Sequence, residues 1–94
     1  MTRLEFWPDY GAGPLWSEFG DPVDLGQLPL PVALVERLRG WNGQYREDKV
    51  PVEGPGDRTW LEEKVELLRH TREALGSGYR VVVTEPWWGE QPSA

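Results

Sequence analysis

The pattern of the chain predicts an α+β protein: a two-layer sandwich whose three-stranded, mainly antiparallel sheet carries two helices on one face, in the order β-β-α-α-β. Three observations lead there. Apolar residues nearly alternate at period two in residues 4–7 and 15–19 and β-branched residues crowd 79–84, apolar residues recur at helical spacing between residues 31 and 75, and clusters of Gly and Pro separate these blocks. Three strands bury two apolar helix stripes only if both helices lie together on one sheet face. Ninety-four residues, 38% hydrophobic and including six Trp, suffice for one core and one domain, with the tail from about residue 89 as the candidate flexible piece.

Leu4-Glu5-Phe6-Trp7 alternates and is closed by Pro8. Asp9-Tyr10-Gly11-Ala12-Gly13-Pro14 is dense in turn residues, and Leu15-Trp16-Ser17-Glu18-Phe19 resumes the alternation before Gly20-Asp21-Pro22. A hairpin with a six-residue loop is the simplest arrangement. It places Leu4, Phe6, Leu15 and Phe19 on the core side and leaves Glu5, Trp7, Trp16 and Glu18 on the other. Tyr79-Arg80-Val81-Val82-Val83-Thr84 is the clearest strand, because β-branched residues crowd it and Pro86 ends it. Its valines favour the centre of the sheet, beside the first strand.

The first helix is predicted at about 31–47, with Pro31 tolerated in the opening turn and Leu34, Leu38, Trp41 and Tyr45 as its stripe. Gly40 and Gly43 weaken its second half. Pro51, Gly54, Pro55 and Gly56 then make a loop, and Asp57 or Thr59 caps a second helix at about 58–75, Thr59 and Glu62 having the spacing of a capping box. Leu61, Val65, Leu68 and Leu75 are the predicted buried stripe, and Gly76-Ser77-Gly78 the left-handed stop.

Charge is segregated along the chain. From Leu4 to Glu36 no Lys or Arg occurs, whereas residues 37–80 hold nine basic and eight acidic side chains, so the net charge of -6 belongs to the two ends. Such an excess opposes nucleic-acid binding, since no basic patch stands against it. Without Cys, disulfides, thiolate metal sites and a cysteine nucleophile are excluded. With neither a secretion-signal core nor an apolar run of about 20 residues, the expectation is a cytoplasmic protein that does not engage membranes.

Residue types that could carry chemistry do not assemble into a recognisable constellation. His70 falls opposite the predicted stripe of the second helix, among Glu66, Arg69 and Glu73, without an orienting partner for acid/base work. Asp21-Pro22-Val23-Asp24 lacks the alternating oxygen ligands of a calcium loop. Gly11-Ala12-Gly13-Pro14 lacks the Lys and the helix start of a phosphate loop. Ser17, Ser77 and Ser93 have no nucleophile-elbow context. No catalytic residue, metal site or cofactor is assigned.

The aromatic residues are more informative. Trp41 and Trp60 fall on or beside helix stripes and read as core. Trp7 and Trp16 fall on the sheet face without helices, and Trp87 and Trp88 follow the last strand. Exposed Trp marks interfaces, and the neighbouring carboxylates favour a basic partner.

Leu4-Glu5-Phe6-Trp7-Pro8-Asp9-Tyr10-Gly11, Gly13-Pro14-Leu15-Trp16, Leu34-Val35-Glu36-Arg37-Leu38 and Val82-Val83-Thr84-Glu85-Pro86-Trp87-Trp88 give most of the chain a resemblance to small acidic hypothetical proteins of high-GC actinobacteria. That resemblance implies no activity and no site. By association, small acidic single-domain proteins of this kind include immunity proteins and other inhibitors.

The function that follows is a non-enzymatic protein-binding module, of inhibitor or immunity type or a homodimer. Its binding surface consists of Trp7, Asp9, Tyr10, Trp16, Glu18, Glu85, Trp87 and Trp88, and its partner is a basic protein or a second copy of itself. The rival reading is a binder of sugars or cationic ligands, or an enzyme, with a pocket where Asp9, Tyr10 and Glu85 meet a Trp wall. A third is a structural subunit of a larger assembly.

Overall fold

The computed structural model describes residues 1–52 and 54–84. Strands β1 (Thr2–Phe6) and β2 (Leu15–Ser17) precede helix α1 (Val32–Gly43), helix α2 (Arg58–Leu75) and strand β3 (Tyr79–Val82). This is the α+β arrangement read from the sequence. The sheet runs in the order β2-β1-β3. β1 pairs antiparallel with β2, setting Phe6 opposite Leu15, and parallel with β3, setting Leu4 opposite Val81.

Two details differ from expectation. The sheet is mixed, because β3 returns after both helices and lies parallel to β1. The central strand is β1, with β3 at an edge. Val81, Val82 and Val83 are buried all the same, so their β-branching reports burial and not a central position. The Arg72 guanidinium of α2 donates from both Nε and Nη2 to the Val81 carbonyl at 3.1 and 2.9 Å. An acceptor on the edge strand is thereby engaged within the chain.

Both helices cover the sheet face that carries Leu4, Phe6 and Leu15. The core joins these residues to Leu34, Leu38 and Trp41 of α1 and to Trp60, Leu67, Leu68 and Leu75 of α2. At its centre Trp41 and Trp60 stack with ring centroids 4.3 Å apart. Each indole Nε1–H donates to the other's backbone carbonyl at 2.9 Å. Two large apolar bodies are buried with both polar handles satisfied.

α1 ends at Gly43, earlier than predicted; Glu47–Lys49 forms a separate 3-10 turn. The two glycines remove the helix-forming bias over that stretch. Tyr45, outside the helix, still packs towards Trp60 at 6.1 Å. α2 has the predicted limits and is capped by Asp57, whose carboxylate accepts from the Trp60 N–H at 3.1 Å.

The buried face of α2 requires a correction. Trp60, Lys64, Leu67, Leu68, Thr71 and Leu75 are buried, whereas Val65 is 57% exposed and Leu61 only partly covered. Leu68 and Leu75 are buried as predicted, but in the first half of the helix Trp60 and Lys64 take the inner places expected of Leu61 and Val65, one position or about 100° away, and Thr71 holds another. The loop before α2 is closed by Asp57 N–H donating to the Lys49 carbonyl at 2.9 Å and by a 3.0 Å Lys49–Asp57 ion pair.

Candidate functional site

The loop joining β1 to β2 is built around two indoles. Trp7 and Trp16 stack almost in parallel, with centroids 3.8 Å apart and planes inclined by 1°. The Trp16 Nε1–H donates to the Trp7 carbonyl at 2.8 Å. Gly13, with φ +99°, lets the backbone pass so near the Trp16 ring that a Cβ there would lie 3.1 Å from it. Trp16 pairs opposite Glu5 in the sheet, and Trp7, just past the end of β1, also packs against the core cluster. Exposure is another matter: Trp16 is 5% exposed, and Trp7 is half-buried against it. Trp16 therefore supports the loop from within.

The second support is Asn42, near the end of α1 and buried to 8% exposure. Its Oδ1 accepts from the Asp9 N–H at 3.1 Å, and its Nδ2 donates to the Ala12 carbonyl at 2.8 Å. One amide thus holds the loop at two points. Asp9 Oδ1 accepts from the Tyr10 N–H at 2.7 Å, and the Tyr10 ring, 56% exposed, leans on Tyr45 at 4.9 Å. Burial, followed by the phenol of Tyr10 and the carboxylates of Glu47 and Asp9, pushes the Tyr45 phenol above its usual range. The loop arrives at the surface preformed, with Asp9 and Tyr10 presented outward.

Past β2 the chain turns sharply. Phe19, predicted as core, is 83% exposed. β2 ends at Ser17, and the alternation that would have turned Phe19 inward ends with it. Glu18, Asp21 and Asp24 are exposed on the same connection. A groove of about 470 Å³ separates this segment from the hairpin loop and the end of α1, lined by Gly11, Gly13, Val23, Asp24, Arg39 and Asn42 among others. Arg39 reaches Asp24 at 3.9 Å, both side chains being more than half exposed. Val23, Leu25 and Asn42 join one loose ion pair in this lining, while the pocket of the rival reading, which takes in Glu85, lies partly outside the described residues.

Of the predicted binding residues, Trp7, Asp9, Tyr10, Trp16 and Glu18 lie on or beside the two connected loops. Glu85, Trp87 and Trp88 lie outside the described residues. Phe19 and Asn42 were missed. The signal for Phe19 was the Gly20-Asp21-Pro22 that follows at once and shortens the strand; Asn42, an isolated amide in a helix, gives no local signal.

His70 sits on the flank of α2 nearer α1 than its predicted outer position. Its Nδ1 is 3.3 Å from Arg37, and its Nε2 is 3.2 Å from Arg69 and 3.7 Å from Glu66. Arg69 is bound by Glu66 and Glu73, which raise its already high pKa. Ser17 Oγ accepts two backbone N–H groups of its own turn. Among the described residues no group of three or more His, Asp or Glu side chains is placed to hold a metal ion, and no helix is long and apolar enough to cross a membrane.

Two neighbouring loops of a small α+β scaffold thus bring Asp9, Tyr10, Glu18, Asp21 and Asp24 to the surface. The chain belongs to the Serratia CdiI immunity protein-like family, whose model matches residues 2–86. No curated protein matches it. Membership makes it an immunity-type protein, one with a protein for its partner.

Proposed function

We propose that this chain is an immunity protein that neutralises a toxin by binding it, and that the contact surface is the acidic pair of loops formed by residues 9–13 and 18–24. Family membership supports the immunity role. The observation that carries the surface is the placement of Asp9, Glu18, Asp21 and Asp24, all at least partly exposed, on two neighbouring loops drawn from the basic-free stretch. Arg39 is the one cation lining the groove between them. A negative field of this kind attracts and orients a basic partner, raising the association rate more than the final affinity.

In this reading Asp9, Tyr10 and Glu18 face the toxin, Trp7 contributes its exposed edge, and Trp16 and Asn42 hold the loops in shape. The partner's surface is rich in Lys and Arg. Preformed loops keep the ordering cost of association low.

The test first identifies the toxin, by capture on the tagged chain from its own cells, and then combines co-expression of the two with a binding assay on the purified pair. The wild-type chain restores growth and binds the toxin. Tyr10→Ala combined with Glu18→Lys weakens binding while the thermal midpoint stays put. Trp88→Ala, assayed beside it, reports whether the tail belongs to the same surface. Growth arrest despite full-level expression of the folded wild-type chain, together with no binding, refutes the reading; unchanged binding by the loop variant refutes this surface.

A further inference from the structure

Phe19 offers a more specific handle on the partner. A single exposed apolar residue is ordinary on a protein surface. This one is mounted on a turn built to hold it out. Gly20 N–H donates to the Ser17 carbonyl at 3.0 Å, Ser17 N–H donates to the Asp21 carbonyl at 2.8 Å, and Ser17 Oγ accepts from the N–H groups of Phe19 and Asp21, each at 3.2 Å. Gly20, at φ +85°, supplies the left-handed residue that the turn needs. The base of the turn is pinned where Trp16 bridges to Pro22. The turn backbone is therefore held in one shape, and Phe19 stands on it 83% exposed, flanked along the chain by the exposed Glu18 and Asp21.

Resting on the immunity reading, we propose that Phe19 is the anchor of the complex, a plug that enters an apolar pocket on the toxin whose rim carries Lys or Arg side chains. The phenyl ring supplies the buried apolar contact at the centre, and Glu18 and Asp21 pair with the rim. Because the turn is already formed, little freedom is lost when the ring is seated. The charge of the turn fits this occupant better than a second copy of the chain, whose corresponding turn carries the same two carboxylates and would repel it.

The experiment uses the full-length chain and the purified toxin identified by capture on it, with binding kinetics for the wild type, Phe19→Ala, Phe19→Leu and the double variant Glu18→Lys/Asp21→Lys. Loss of the ring weakens binding at least about 30-fold, equivalent to about 2 kcal/mol, mostly through faster dissociation. Phe19→Leu recovers part of that loss, and the thermal midpoint of each variant stays at the wild-type value. The charge reversal slows association at low salt. If the wild type binds and Phe19→Ala binds within about threefold of it, the anchor is wrong while the immunity reading stands. If the wild type is dimeric by sedimentation and Phe19→Ala is monomeric, the ring serves self-association and the proposal is overturned. Failure of the wild type to bind the toxin removes the immunity reading itself.

Discussion

Asn42 shows how much of a loop's shape hangs on one side chain. Its amide fixes Asp9 on one side and Ala12 on the other. Asn42→Ala leaves that backbone N–H and carbonyl without their partner and is expected to destabilise the fold by about 2 to 3 kcal/mol in urea titration, with weaker toxin binding as the loop loosens. Asp57 acts at another point in the chain. The Trp60 N–H and then the Lys49 ammonium lower its carboxyl pKa below the ordinary value of 3.8. Because the folded pKa is the lower one, its stabilisation is fully present above the unfolded value and is lost as pH falls through the folded one. Urea midpoints measured from neutral pH downward should therefore drop below about pH 4 more steeply in the wild type than in Asp57→Asn.

Helices and strands were legible to different degrees, for reasons visible in particular residues. α2 was readable end to end because Asp57 caps it and Gly76, at φ +68°, stops it, both local signals. Its inner face was read only in the second half, at Leu68 and Leu75, because a buried Lys64 and Thr71 also belong to that face and no hydrophobicity scale places them there. β1 and the start of β2 were legible from alternation, whereas the position of β3 depends on what crosses over between the strands, which composition does not encode. Of the residues proposed for binding, Trp7 and Trp16 were rightly put together, but the second is buried in the stack. Two glycines test the local reading. Gly40, exposed and with open space around it, should accept Ala and stabilise α1 by about 1 kcal/mol. Gly56, at φ +73° and with a Cβ position 2.6 Å from the Lys49 carbonyl, should lose about 1 to 3 kcal/mol on the same change, both read from thermal unfolding.

Across the whole molecule, the net charge of -6 decides how a partner arrives. Raising salt from about 0.1 M to about 1 M shortens the screening length from about 10 Å to about 3 Å. Association with a basic toxin should slow tenfold or more over that range while dissociation barely changes, as stopped-flow kinetics would show. The sheet sets a second condition, one of time. Because β1 is central and Thr2 pairs with Tyr79, β1 leaves the ribosome well before β3 and waits for it before the sheet closes. At about 5 to 20 residues per second, synthesis of the chain takes roughly 5 to 20 s. Each new copy spends that interval without a completed fold, so a cell meeting an incoming toxin depends on the molecules it has already finished making.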